Sequence, residues 1–404
     1  MTRISLLCVL VLTTLASPCA AQEPPPATAG EELTRTLLQK GVLSETEAKG
    51  LLDRFALERA QAPSRLGTMN LKGMKLEFMG LGEFRFTHTA GSHKSADGTT
   101  PSFKVNTARL GFTGEVTPRL SYTAVFAFER TNGATDKVNS ALYDVKLSYT
   151  PIPRLSLSAG QFVMPVSEEA NEPTAKLDLP DRHYAAGRLL NPSFNHDIGV
   201  AAHGRAFGKR LDYAAGVFNG RGPNVTANDD DNFLYAARVG GVPLEWDMLG
   251  SKAQLYVGIN GMFERTAGDA SPLRTDSGTA FTEEYDRRVY GWDGQVRWNG
   301  FRIKGEYLGA QLLGRHNNDP HVHADGWYAQ VSQLIGTFEP LVRYQAYDPD
   351  WRSAPAKDIR WTTLGLNWFI RGDTVKAQAA YTFKREASAG YANDELVTQV
   401  QLFF

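Results

Sequence analysis

Few residues in this chain have the types and spacing that covalent chemistry needs. Ser193, His196 and Asp197 stand close together, and a serine, a histidine and a carboxylate can perform acyl transfer. No nucleophile elbow surrounds Ser193. His316, His321 and His323 share a segment with Asp319 and Asp325, and a His-x-His pair can offer two imidazoles to one metal ion. Asp229, Asp230 and Asp231 could give oxygens to calcium. Neither spacing matches a recognised site, so no cofactor and no metal is expected. The only cysteines, Cys8 and Cys19, fall within the first 21 residues.

What remains is patterned charge. The 404 residues include 43 basic and 44 acidic ones, a net charge of −1. That balance argues against a nucleic-acid partner, which needs a clustered basic excess. Charges recur at alternate positions. Lys75, Glu77, Glu83 and Arg85 alternate with Met74, Leu76, Phe78, Phe84 and Phe86. The basic residues on the polar parity are Lys75, Arg85, Arg109, Lys146, Arg205, Arg238, Arg287, Arg297, Arg302, Lys304, Arg343, Arg360, Lys376 and Lys384. The acidic ones are Glu77, Glu83, Glu115, Glu129, Asp144, Asp197, Asp293, Glu306, Glu339 and Glu395. If these faces line a pore, the basic surplus concentrates anions there. For any single residue the alternative is pairing across strands.

The elements that position these charges are strands. A period of two gives each strand one oily and one wet face. Sixteen candidate strands run from residue 74 to the C-terminus, most near the roughly 9–11 residues that cross a bilayer when tilted. Tight joints such as Thr117-Pro118-Arg119, Asn299-Gly300 and Arg371-Gly372-Asp373 alternate with long ones. The joint at 243–251 is longer than that pattern predicts. A soluble sandwich shows the same alternation of faces but has no reason to alternate its connections. A transmembrane barrel does. Tyr290, Trp292, Trp298, Trp327, Trp361 and Trp368 sit near strand ends, where interfacial girdles form.

Residues 1–21 have the order of a secretory signal: Arg3, an apolar run from Ile4 to Ala16, and Ala20-Ala21 before the cut. The apolar run is too short to span a membrane. Residues 22–72 read as a periplasmic linker and a helical segment, with a capping box at Ser44-Glu45-Thr46-Glu47. Residues 73–404 form the barrel domain.

The longest joint, 165–196, carries Glu168, Glu169, Glu172, Asp178 and Asp181 against Lys176, Arg182 and Arg188. Loops of that length usually have a task. If it enters the barrel, the constriction is mixed in charge with acid predominating.

Gly160-Gln161-Phe162-Val163-Met164-Pro165, Asp181-Arg182 and His196-Asp197-Ile198-Gly199-Val200 resemble the phosphate-selective porin O and P family, as do the helical segment Lys40 to Ala48 and the sixteen-strand pattern. The resemblance covers most of the chain. It implies a trimeric outer-membrane channel, often for anions, with the loop folded inward. The loop departs from the family pattern in being acid-rich and in carrying Asp181-Arg182-His183 where Glu-Arg-Ser is usual. Only Arg182 is carried over as pore-facing.

The sequence therefore predicts an all-β protein: a sixteen-stranded antiparallel transmembrane β-barrel with a short N-terminal helical segment, in the bacterial outer membrane. It would be a homotrimer passing small hydrophilic solutes or anions, in contact with outer-membrane lipid. The expected pore-lining or constriction residues are Lys176, Arg182, Arg188, Arg109, Lys146, Arg205, Arg297 and Arg343. The alternatives from other classes are a barrel enzyme such as a phospholipase, or a non-conducting adhesin.

Overall fold

The computed structural model describes residues 29–45, 47–48, 51–52, 68–71, 74–89, 101–128, 141–190, 195–225, 228, 231–266, 283–316, 319–353, 358–387 and 393–404. Residues 1–21, Glu129, Ser193, Asp229 and Asp230 lie outside them. The chain divides into two compact units, Met1–Gln61 and Ala62–Phe404. In the first, helix α1 spans Ala29–Gln39. Gly41 follows it with φ 67°, a left-handed conformation in which glycine has no Cβ to clash. The capping box forms: Glu47 N–H donates to Ser44 Oγ (3.3 Å), and Ser44 N–H donates to Glu47 Oε2 (2.9 Å).

The second unit is a closed sheet. Strand β1 is Thr68–Leu71, followed by β2 Met74–Thr89, β3 Ser102–Thr117, β4 Leu120–Ala127, β5 Ala141–Ile152 and β6 Leu155–Val163. Next come β7 His196–Ala206, β8 Leu211–Phe218, β9 Leu234–Met248, β10 Ser251–Thr266, β11 Tyr285–Trp298 and β12 Phe301–Gly314. The last are β13 His321–Gln333, β14 Phe338–Asp348, β15 Ile359–Asp373, β16 Val375–Glu386 and β17 Glu395–Phe403. From β2 onward each strand pairs antiparallel with the next. Strand β17 returns to β2, from Glu395↔Thr89 to Phe403↔Leu81, so sixteen strands close the barrel. Closure gives each of these sixteen strands a neighbour on both sides, the condition for crossing a bilayer with sheet.

Two details differ from the sequence reading. Strand β1 is additional. Its four residues pair with β2 from Thr68↔Glu77 to Leu71↔Met74, alongside the part of β2 that β17 does not reach. Four residues are too few to display a period. The joint expected at 243–251 shrinks to a tight turn, because β9 continues through Pro243 to Met248. Leu249 and Gly250 turn there with φ 47° and 78°, as a two-residue hairpin loop requires. Pro243, which has no N–H to give, sits where the β9–β10 register shifts between Leu255 and Val257.

The parity separates the environments. Phe84, Ile259, Trp292 and Leu364 are exposed on the outer wall, whereas Glu306, Arg343, Lys376 and Gln401 are buried inside. The inner wall is not polar throughout. Leu308, Leu312, Val289 and Tyr347 point inward and form a core with Met164, Val166, Ala185, Ala186, Leu189 and Leu190 of the 165–196 segment. This accounts for a misreading of β15. Ile359 and Trp361 are apolar, which placed Arg360 on the wet face. Trp361 instead points inward and meets Tyr184 with ring centroids 5.0 Å apart. Arg360 therefore shares the outer face with Leu364 and Leu366. The inward segment supplies an apolar interior layer that no porous cylinder by itself would have.

Candidate functional site

The segment between β6 and β7 folds into the barrel, and its acidic residues attach it to the wall. Helix α2 spans Glu168–Asn171 and is opened by Ser167, whose Oγ accepts from the Ala170 N–H (3.1 Å). The N–H groups of Glu168 and Glu169 donate to the Glu306 carboxylate at 2.9 and 3.3 Å. Glu169 pairs with Arg343, both only 1% exposed. It also accepts from the His183 N–H (2.6 Å), and Arg343 is held by Gln330 (2.9 Å). Asp178 meets Lys304 (2.6 Å), Arg302 and Gln330 (2.7 Å). Asp181 meets Arg85 (2.7 Å), and Arg85 also donates to the Pro180 carbonyl (2.7 Å). Lys376 donates to the carbonyls of Ala175 (2.9 Å) and Leu177 (3.0 Å). These partners come from β2, β12, β13, β14 and β16.

The electrostatics follow from this pairing. Burial would raise the Glu169 carboxyl, but Arg343, Lys304 and His183 hold it down at about 2. Asp178 is likewise buried and held well below the usual carboxylate range by Lys304 and Arg302. Glu168 behaves oppositely. Burial pushes its carboxyl up to about 7; Arg238 pulls against this, and the neighbouring Asp293, Glu172 and Glu306 add to the rise. Arg238 is shared, binding Asp293 at 2.6 and 2.9 Å and Glu168 at 2.7 Å.

The space left beside the segment is a cavity of about 630 Å³ against the β5–β9 wall. Lys146, His203, Arg205, Arg238 and Asp212 line it, with Ser158, Asn171 and the apolar Phe162 and Pro165. Arg205 pairs with Asp212 (2.9 Å), and His203 Nε2 lies 2.9 Å from Ser158 Oγ. Lys146 stands 5.9 Å from the Phe162 ring centroid.

The eight expected residues thus fall into different surroundings. Lys146 and Arg205 face the cavity. Arg343 faces inward but lies beneath the segment. Arg109 donates to Thr174 (3.0 Å) and covers the Tyr143 ring at 3.8 Å. Arg182 binds the segment to itself through the carbonyls of Glu169 (2.9 Å) and Glu172 (2.6 Å). Arg188 packs over Tyr184 (4.8 Å). Lys176 and Arg297 are exposed, and Arg297 bonds Gln295. The acid excess expected at the constriction is spent on the wall. His203 was missed, although it shares the polar parity with Arg205 and could have been read from it.

The residues that suggested other chemistry are employed elsewhere. His196 lies 3.3 Å from Asp144, while Asp197 accepts from the N–H groups of Ile198 (2.6 Å) and Gly220 (2.7 Å). His323 packs on Trp351 (5.4 Å), and the His316 N–H donates to Asp319 (2.7 Å). Among the described residues no three histidines, cysteines or carboxylates are grouped to hold a metal.

Residues 89–404 match the sequence model of the family described as phosphate-selective porin O and P. The chain belongs to that family. It is an outer-membrane porin, and its barrel forms a water-filled channel. Solved structures share the fold at low identity. The trimer form of in-vitro folded OmpT, an outer membrane protein of Vibrio cholerae, aligns with TM-score 0.57 and 14% identity over 82% of this chain and 99% of its own. An anion-selective porin from Comamonas acidovorans gives 0.57 and 12% over 82% and 100%. The outer membrane channel DcaP of Acinetobacter baumannii gives 0.52 and 10% over 84% and 100%. No curated protein matches the porin by sequence.

The position of Glu168 sets a pH dependence. Protonation near pH 7 removes a negative charge beside the cavity, so the wall becomes more basic as pH falls. The ratio of chloride to potassium permeability is expected to rise between pH 8 and pH 6. A Glu168→Gln channel should show the higher ratio at both pH values. A ratio that falls with acidification in the wild type contradicts this.

Proposed function

We propose that this porin is a non-enzymatic channel with a preference for small anionic solutes, and that it assembles as a homotrimer. The observation that carries the reading is the one-sided use of charge. The Glu169 and Asp178 carboxylates of the inward segment are bound to the far wall and Glu168 shares Arg238 with Asp293, while the open cavity is bordered by Lys146, Arg205, Arg238 and His203 against Asp212. A basic wall raises the local concentration of anions and slows cations. In this proposal Lys146 and Arg205 are the solute-facing cations. Arg109, Arg182, Arg188 and Arg343 hold the segment in place, and Lys176 and Arg297 contribute positive potential. The solved structure of the Comamonas porin is titled anion-selective, and that of the Vibrio protein is titled a trimer; both are consistent with the proposal. Residues 1–21 would direct export, and residues 22–72 would lie in the periplasm.

The test is a planar bilayer with a tenfold potassium chloride gradient. The reversal potential should have the sign set by chloride. A reversal potential of the potassium sign overturns the anion reading. Crosslinking of the purified porin should give three-protomer species, and a protomer that conducts alone overturns the trimer.

A further inference from the structure

We propose that Arg360 and Arg385 form an outward-facing site for the phosphorylated sugar headgroup of an outer-leaflet glycolipid. The two arginines are direct partners in the β15–β16 register. Both are exposed, and both lie on the outer face. The rungs beneath them on that face are Thr362↔Phe383, Leu364↔Tyr381 and Leu366↔Ala379. The Tyr381 and Phe383 rings touch with centroids 4.8 Å apart. The pair therefore caps an apolar stripe with an aromatic border. It lies at the opposite end of β15 and β16 from their tight turn near Gly372. In outer-membrane barrels tight turns are periplasmic, and aromatic girdles mark the interfaces. That places the arginines at the level of the outer-leaflet headgroups.

Like charges directly opposite one another destabilise a rung. Beside a low-dielectric apolar band the repulsion is poorly screened. Among the described residues no carboxylate forms an ion pair with either guanidinium. Asp394 is taken by the Lys384 N–H (2.9 Å) and the Tyr381 hydroxyl (3.4 Å). Asp358 precedes Arg360 by two positions, and its carbonyl accepts from the Ala387 N–H (2.9 Å). On the inner face of the same rungs, Lys384 covers Trp361 at 4.7 Å, so the outward pair is separate from the channel. Two guanidinium forks side by side suit a phosphate, which accepts bidentate hydrogen bonds. The stripe below would lie along the acyl chains of the same lipid.

The test uses native mass spectrometry of the purified full-length porin with four probes: bis-phosphorylated lipid A, dephosphorylated lipid A, phosphatidylglycerol and inorganic phosphate. The wild type should retain bis-phosphorylated lipid A. R360Q/R385Q should weaken retention by at least about tenfold, the loss of a charge-assisted bidentate contact. R360K/R385K should fall between the two. Equal retention by wild type and R360Q/R385Q overturns the site. So does equal retention of phosphatidylglycerol or dephosphorylated lipid A, or displacement of the lipid by millimolar inorganic phosphate. Heat-modifiable gel migration checks folding. If the double glutamine variant does not fold, the single R385Q variant carries the comparison on the same criteria.

Discussion

Replacing Arg343 by alanine should unlatch the inward segment and raise single-channel conductance. The substitution leaves Glu169, 1% exposed and ionised above about pH 2, without the guanidinium that neutralises it. Removing one partner of a buried ion pair costs about 3–5 kcal/mol, because the remaining charge is uncompensated. The least disruptive escape for Glu169 is to leave the wall, carrying α2 with it into the lumen. Removing both charges, as in E169A/R343A, should cost less than the sum of the two single variants in thermal unfolding. The wild type has a related acid response. The Glu169 carboxyl is lowered from 4.5 to about 2, so its contribution is fully present above pH 4.5 and is lost as pH falls through about 2. Conductance should thus be steady from pH 7 to pH 5 with respect to this latch and step upward only toward pH 2. An R343A channel with wild-type conductance, or additive costs in the cycle, shows that the latch lies elsewhere.

The double substitution K146E/R205E should reverse the sign of ion selectivity. It converts two positive charges at the cavity into two negative ones, where Asp212 already supplies acid. The remaining cation, Arg238, is committed to Asp293 and Glu168. The reversal potential under a salt gradient should move from the chloride side to the potassium side. Arg360→Gln removes a positive charge of the same strand pattern but from the outer face, and should leave the reversal potential unchanged. A large shift on Arg360→Gln, or none on K146E/R205E, contradicts the assignment of faces.

Most of the architecture was legible in the chain because a barrel strand records its surroundings in its own period. Phe78, Phe84 and Trp292 face lipid, and Glu83, Arg85 and Asp293 face the lumen; alternation carries that without reference to any distant residue. Turn chemistry marked the short joints, as at Asn299-Gly300, where both residues take positive φ. Legibility failed where a neighbour changed the environment. Trp361 looked like an interfacial residue and proved to be packed on Tyr184. The joint read at 243–251 begins at Pro243, which proved to lie at a bulge within β9.

The sequence by itself determined the sixteen-stranded barrel, its two faces and the long segment after β6, because these depend on local period and turn residues. Only the tertiary structure decided where that segment goes and which charges remain for the solute. Glu169 and Arg343 are 174 positions apart, and Asp178 and Lys304 are as remote in the chain as they are adjacent in space. Ion pairing depends on distance through space, which one-dimensional spacing does not encode. An acid-rich loop could therefore be read, but not that Glu169 and Asp178 would be neutralised by one wall while Lys146 and Arg205 face the cavity on the other.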